Sequence, residues 1–236
     1  MTDPVTRETP PPPVEAAGVF AERLPLAAAY AGWLAHAGTV RGLIGPREVP
    51  RLWERHLLNC AVLTELLPGD ASVCDIGSGA GLPGVVLAIR RPDLSVTLVE
   101  PLLRRTTFLE EVVADLGLSN VEVVRGRAES LHGSREFDVV TSRAVAPLER
   151  LLSWSLPLCR TGGLVLAMKG SSAQREIEEA DGFLRRGKVA PPEIVHIGGD
   201  LVSVPTTVVR VVAPVSQQVG LSSGRGGTRR RKSQGR

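Results

Sequence analysis

Aromatic side chains are scarce in this chain of 236 residues, which holds four Phe, three Trp and one Tyr. A core built from it must rest on Val, Leu, Ile and Ala, and a surface that stacks bases on rings has few rings to use. Cysteine is rarer still. Cys60, Cys74 and Cys159 are odd in number, widely spaced and without a Cys-x-x-Cys pair. That pattern excludes a disulfide framework and a zinc site, and it leaves three core-filling thiols. No metal is expected. No uninterrupted apolar run reaches the ~18–20 residues that cross a bilayer, and the opening MTDPVTRETPPPP is polar and proline-rich rather than cationic and then apolar. The expectation is a cytoplasmic protein with no membrane partner.

Acids are missing from one place in particular. Residues 221–236 carry Arg225, Arg229, Arg230, Arg231, Lys232 and Arg236 with no Asp or Glu, and without these six the remainder has 22 basic against 25 acidic residues, so a formal +3 becomes −3. The basic character therefore belongs to a Gly/Ser/Arg tail, expected to be disordered over 215–236. Such a tail either holds polyphosphate without specificity or is a solvated terminus with no role. The proline-rich lead, residues 1–18, is expected to be disordered as well.

Between these ends the hydrophobic period changes once. Residues 19–70 are helical in character, with apolar Leu52, Leu57, Leu58, Ala61, Val62 and Leu66 on one stripe, and form an N-terminal cap closed by Leu67-Pro68-Gly69-Asp70. Over 71–214 short apolar runs alternate with helices: strands at 72–76, 95–100, 121–124, 137–141 and 163–168, and helices at 84–90, 102–116, 148–159 and 174–184. Two last strands, 193–197 and 207–212, have no helix between them and should pair antiparallel. This is an α/β pattern: a mostly parallel seven-stranded sheet with helices on both faces, the topology expected of a Rossmann-like class I methyltransferase.

Gly77-Ser-Gly79-Ala-Gly81-Leu82-Pro-Gly84 joins the first strand to its helix. Its glycines permit positive φ and close approach of a ligand to the backbone. The spacing Gly79-x-Gly81-x-x-Gly84 also satisfies the dinucleotide fingerprint, so the loop by itself does not choose between cofactors. Two acids narrow the choice. Asp75 closes the first strand, where a carboxylate can accept loop amides or, through water, orient a cationic amino-acid tail; a loop facing pyrophosphate would gain nothing from it. Glu100 closes the second strand, where it can take both ribose hydroxyls of an adenosine. After the third strand, Ala128 and Glu129 are placed to meet an adenine edge, although Glu129 also reads as a helix N-terminal acid.

The fourth strand runs into Thr141-Ser142-Arg143-Ala144 at the carboxyl edge of the sheet, where the crevice of such folds lies, so Ser142 and Arg143 are candidates to position the reacting groups. Arg143 paired to Glu129 or Asp75 is the structural alternative. Lys169 follows the fifth strand on the same rim, as an RNA-backbone contact or a solvated lysine. There is no Asp/Asn-Pro-Pro-aromatic motif for an exocyclic amine and no Pro-Cys nucleophile for a pyrimidine. An acceptor with a free lone pair, such as guanine N7, needs neither device, and no acid or base is assigned.

Asp75-Ile-Gly-Ser-Gly-Ala-Gly-Leu-Pro-Gly84, Ser142-Arg143-Ala144, Met168-Lys169-Gly170 and Glu54-Arg55-His56-Leu57 together resemble the bacterial small-subunit rRNA guanine-N7 methyltransferases, the glucose-inhibited division protein B family. The likeness covers about residues 20–213. It implies transfer of a methyl group from S-adenosylmethionine to one guanine N7 of 16S rRNA, as free RNA, small subunit or assembly intermediate. It also implies that Gly77, Leu82, Ala128, Glu129 and Arg143 meet the cofactor, and that Arg55 and His56 belong to a cap closing over the site as candidate RNA contacts, with helix packing as the plainer role for His56. Asn59 departs from the small hydroxyl residue of many relatives. Three other readings stay open: a small-molecule methyltransferase, a nicotinamide-dependent oxidoreductase, and an RNA-binding module with a vestigial pocket.

Overall fold

The structure is a computed structural model that describes residues 9–199 and 201–214. Residues 1–8 and the basic tail from 215 onward, expected to be disordered, lie outside the described residues.

The chain begins with α1 (Val14–Phe20) and α2 (Leu24–Trp33), which continues into a π-helical turn at Leu34–Gly38. The expected unstructured lead therefore ends earlier than residue 18, because Ala16, Val19 and Phe20 bury themselves against the cap and Pro10 accepts the indole N–H of Trp53 at 2.8 Å. A second π-helical stretch, Leu52–Leu58, runs directly into α3 (Asn59–Ala61). Strand β1 (Ser72–Ile76) leads through the glycine loop to α4 (Gly84–Arg90), β2 (Ser95–Glu100), α5 (Leu103–Asp115), β3 (Val121–Arg125), β4 (Phe137–Arg143), α6 (Leu148–Ser155), β5 (Cys159–Lys169), α7 (Ala173–Arg186), β6 (Glu193–Ile197) and β7 (Thr206–Val212).

The seven strands form one sheet in the order β3-β2-β1-β4-β5-β7-β6. Neighbours from β3 through β5 are parallel, and β7 runs antiparallel to both β5 and β6. The order reverses at β1, so helices leave on opposite faces there and a crevice opens beyond the carboxyl ends of β1 and β4. Because strand side chains alternate between faces, the two cores separate residue by residue. Val73 and Val139 join the cap, α4 and α5 in one core, whereas Cys74 and Val140 face α6 and α7 in the other. Cap and sheet share the first core without a break.

Three boundaries differ most from the sequence pattern. Helix α6 ends at Ser155 rather than 159, since Pro157 cannot continue the backbone ladder, and Leu156–Leu158 tightens into a 3-10 turn. Strand β5 starts at Cys159, and the pairing with β4 skips residues 160–163 between Phe137 and Val139, where Gly162 takes φ 75°. Strand β4 extends to Arg143 because Ser142 and Arg143 pair with Ala167 and Met168. Two residues beyond its expected end are thereby placed on definite faces of the sheet.

Packing between the cap and the glycine loop leaves no slack. Gly81 has φ 97°, and a Cβ there would stand 2.5 Å from Val85 Cγ2 and 2.9 Å from Tyr30 Oη. Tyr30 is fully buried and donates its hydroxyl to the Ala80 carbonyl at 2.7 Å. Gly81→Ala combines left-handed strain with overpacking and is expected to cost about 2–4 kcal/mol, read as a lowered urea midpoint at unchanged m-value. A midpoint within experimental error of wild type would contradict this close fit.

Candidate active site

Side chains and backbone together hold the loop between β1 and α4. The Glu100 carboxylate, only 1% exposed, accepts the Gly79 and Leu102 N–H groups at 3.1 Å each and meets Arg105 Nη1 at 3.4 Å. The Gly77 and Ser78 amides bond to the Val99 carbonyl at 2.8 and 3.2 Å. Gly77 and Gly79 have φ 69° and 59°, left-handed values that orient these amides and that glycine adopts at low cost. Asp75 lies beneath the loop, fully buried, with Oδ2 accepting the Gly84 N–H at 3.0 Å and Oδ1 without a hydrogen-bond partner among the described residues.

A cavity of about 450 Å3 opens over this frame at the carboxyl ends of β1, β2 and β4. Gly77, Glu100, Ala128, Glu129 and Arg143 line it together, as do Arg105, Arg127, Arg150 and Trp154. A second chamber of about 400 Å3 shares Gly77, Arg105, Arg143 and Ala144 with it and is closed by Gly79, Leu82 and the cap residues Leu43, Ile44 and His56. On the far side of Arg143, a third space of about 480 Å3 is bounded by Ala144, Val145, Asn59, Met168 and Thr206. An outer groove of about 610 Å3 runs between the π-helical stretch and the β6–β7 connection, past Arg51, Arg55, His56 and Arg143. Arg143 thus borders all four spaces. Ala144 beside it has φ 55°, a strained value for a residue with a Cβ, at the turn that separates them.

Several candidates have other duties. Asp75 and Gly81 line none of these spaces: the acid supports the loop from below and the glycine makes room for the cap. Ser142 is 2% exposed and lies on the α6/α7 face, because alternation along β4 sends it opposite to Arg143. It lines none of the spaces described above. Lys169 borders the third space but is no solvated cation, since Nζ donates to the Ala146 carbonyl and to Glu176, each at 2.7 Å. Glu176 also accepts the Leu148 N–H at the start of α6, so this lysine ties β5, α6 and α7 together. Arg143 forms no ion pair with Glu129 or Asp75; Nη1 donates to the Arg55 carbonyl at 3.2 Å. Arg55 itself pairs with Glu48.

Sequence reasoning did not single out Arg105, Trp154 or Tyr30. Arg105 had a readable signal, a cation in the first turn after the β2 acid. Trp154 and Tyr30 had none, for Trp154 reaches the cavity from α6 and Tyr30 acts on a carbonyl 50 residues away.

Burial sets the charge states. The Asp75 carboxyl is pushed up to about 7 by desolvation, against the opposing pull of the Gly84 amide and Arg143. His56 is pushed down to about 4 by burial and by Arg143, against the raising effect of Glu48, so its ring is neutral at physiological pH. Burial also pushes the Cys60 thiol to about 11 and Cys159 to about 12, which leaves them inert. Among the described residues no three His, Cys, Asp or Glu side chains gather in a group that would hold a metal ion, and no helix is long and apolar enough to cross a membrane.

The family described as rRNA small subunit methyltransferase G (GidB) matches residues 23–200. The chain belongs to this family. A ribosomal RNA small subunit methyltransferase G of Nocardioides sp. is 61% identical over 236 aligned residues, covering 98% of this chain and 94% of its own. That of Thermobifida fusca is 58% identical over 202 residues, covering 86% of this chain and 85% of its own. As a family member the chain is a methyltransferase, and solved structures agree at the level of fold. An S-adenosylmethionine-dependent O-methyltransferase from Thermotoga maritima superposes with a TM-score of 0.53 at 13% identity, over 68% of this chain and 66% of that one. A methyltransferase from Pyrococcus furiosus gives 0.51 at 15% identity, over 67% and 83%.

The raised Asp75 carboxyl yields a pH test. Unfolded, the group ionises near its ordinary 3.8; folded, it resists ionisation until about 7, so the stability it contributes is full below the lower value and is lost as pH rises through the upper one. Asp75→Asn stays neutral throughout. The unfolding free energy of the variant minus that of wild type should therefore rise from pH 5 to about pH 7 and level off above it, and a difference that is flat over that lower range would contradict a buried, high-pKa acid.

Proposed function

We propose that this chain transfers a methyl group from S-adenosylmethionine to N7 of a guanine in small-subunit rRNA, a cytoplasmic substrate. The observation that carries the reading is the wall formed by Arg143, Ala144 and Val145, which separates the cavity framed by Glu100 and the glycine loop from the space bordered by Asn59 and Met168. Two ligands held on either side of one strand end are brought together at that wall.

The donor-side cavity suits an adenosine. Glu100 keeps acceptor capacity on a carboxylate already fixed by two backbone amides, as ribose hydroxyls require. Ala128 and Glu129 edge the same cavity, and the chamber beyond Gly77 continues far enough for an amino-acid tail. When bound, the cofactor supplies a sulfonium-activated methyl group. The protein's part is alignment: Arg143, anchored through the Arg55 carbonyl, sets the boundary between donor and acceptor and offers its remaining N–H groups to a purine oxygen or a phosphate. N7 carries no proton to remove, so the lack of a general base at this wall fits such an acceptor.

RNA as the acceptor is supported by where unpaired cations lie. Most arginines on the flanks are neutralised by acids, for example Arg91 by Asp93, Arg135 by Glu122 and Arg210 by Glu193. Arg104, Arg125, Arg127 and Arg150, at the carboxyl edge around the cavity, form no ion pair among the described residues. A mildly acidic body thereby presents a basic mouth, the arrangement that holds a phosphodiester backbone.

Labelled cofactor incubated with 30S subunits and with free rRNA should place the label on one guanine, cleavable by the chemistry that opens N7-methylguanosine. No label in either RNA would overturn the reading in favour of a small-molecule acceptor. Arg143→Ala is expected to lower turnover by roughly 100-fold while the thermal midpoint stays within a few degrees of wild type. Arg104→Gln and Arg125→Gln, which lie outside the cofactor cavity, should each flatten the log–log salt dependence of RNA binding by about 0.7–0.9.

A further inference from the structure

Asn59 and Thr206 fix one another across the junction of cap and sheet. The Thr206 hydroxyl donates to the Asn59 main-chain carbonyl at 3.2 Å, so its oxygen is free to accept, and Asn59 Nδ2 donates to it at 2.6 Å. Thr206 is only 3% exposed, which keeps water from competing for either bond. With the nitrogen spent in this way, the amide oxygen occupies the other arm of the planar group, away from Thr206. Oδ1 accepts nothing among the described residues, yet it is not one of the atoms sealed from solvent. A half-buried side chain thus carries one oriented, open acceptor.

Both spaces that Asn59 borders are also bordered by Arg143. The two side chains are linked through the cap, because Arg143 Nη1 is anchored on the Arg55 carbonyl, one helical turn before Asn59. Nε and Nη2 of Arg143 have no partner among the described residues and are likewise open to solvent. Other polar side chains around the third space are committed, Lys169 and Ser172 to Glu176 and Thr206 to Asn59. What remains is one group that only donates and one fixed acceptor. Main-chain carbonyls of Ala144 and Val145 border the space as well, and a substitution at Asn59 leaves them in place.

A donor beside an acceptor distinguishes the purines. Guanine presents O6, which accepts, next to N1–H, which donates; adenine presents an amino group next to a bare N1, the reverse order. We propose that Asn59 Oδ1 accepts the N1–H of the guanine that receives the methyl group while Arg143 donates to its O6, and that Thr206 is a positioning residue that keeps the amide oxygen outward. This rests on the methyl-transfer reading above and deepens it by naming what selects the base. N7 lies on the opposite flank of O6 from N1, so a base held in this way keeps its reacting nitrogen free. No proton is transferred.

Single-turnover methylation by the full chain tests this on two small-subunit RNAs. They are identical except that one carries 2-aminopurine riboside in place of the methylated guanosine, which keeps N7 and the 2-amino group but lacks O6 and N1–H. Wild type should prefer guanosine. Asn59→Leu should slow methylation of guanosine roughly tenfold, the range of one lost hydrogen bond, and leave the rate on 2-aminopurine unchanged. Because the preference is a ratio taken on one enzyme sample, partial loss of folded protein cancels from it. Asn59→Asp keeps an acceptor in place and should retain the preference. Thr206→Val leaves Asn59 but frees its amide to turn, and should reduce the preference severalfold. The inference is overturned if wild type shows no preference, if Asn59→Leu keeps it or slows both substrates equally, as a purely structural asparagine would require, if Asn59→Asp loses it, or if Thr206→Val leaves it whole. Wild type that methylates no guanosine in either RNA would overturn the methyl-transfer reading itself and this inference with it, an outcome distinct from the others.

Discussion

The loop between β1 and α4 keeps its shape because side chains far apart in sequence satisfy its backbone from several directions. Glu100 takes the Gly79 amide, Asp75 takes the Gly84 amide from below, and Tyr30 reaches from the cap to the Ala80 carbonyl. Left-handed glycines allow the turn, but torsional freedom alone would leave it mobile. Buried hydrogen bonds convert that freedom into one geometry, and the cavity, the adjoining chamber and the junction with the cap all take their walls from it.

The cap is therefore part of the site. Its π-helical stretch presents the Arg55 carbonyl to Arg143 and His56 to the chamber, while Asn59 at the end of the same stretch donates to Thr206 at the start of β7 at 2.6 Å. One short segment thus touches the inner chamber, the strand-end arginine and the edge of the space beyond it. A single core runs through cap, α4, α5 and sheet, so that placement is as rigid as the core itself.

Charge is distributed by the same geometry. Pairing neutralises arginines along the flanks and leaves them open around the cavity mouth, so net charge is a poor guide to what this protein meets. Burial acts in the opposite sense inside, holding Asp75 partly protonated and His56 neutral.

The succession of strands and helices, the glycine loop and the acid closing β2 were legible from residue pattern alone, because periodicity and turn chemistry are local and the strand-end acid lies a fixed distance from the loop. The motifs shared with relatives were legible in the same way. Side-chain direction and partnership were not. Ser142 and Arg143 are adjacent in the sequence, yet strand alternation buries one and opens the other to the crevice. Lys169 looked free until α7 brought Glu176 against it, and Tyr30 was one more apolar-helix residue until folding set it over Ala80. Such contacts join residues tens of positions apart, and no local pattern encodes which cation finds an acid or which polar atom is left open; only the packed tertiary structure decides that.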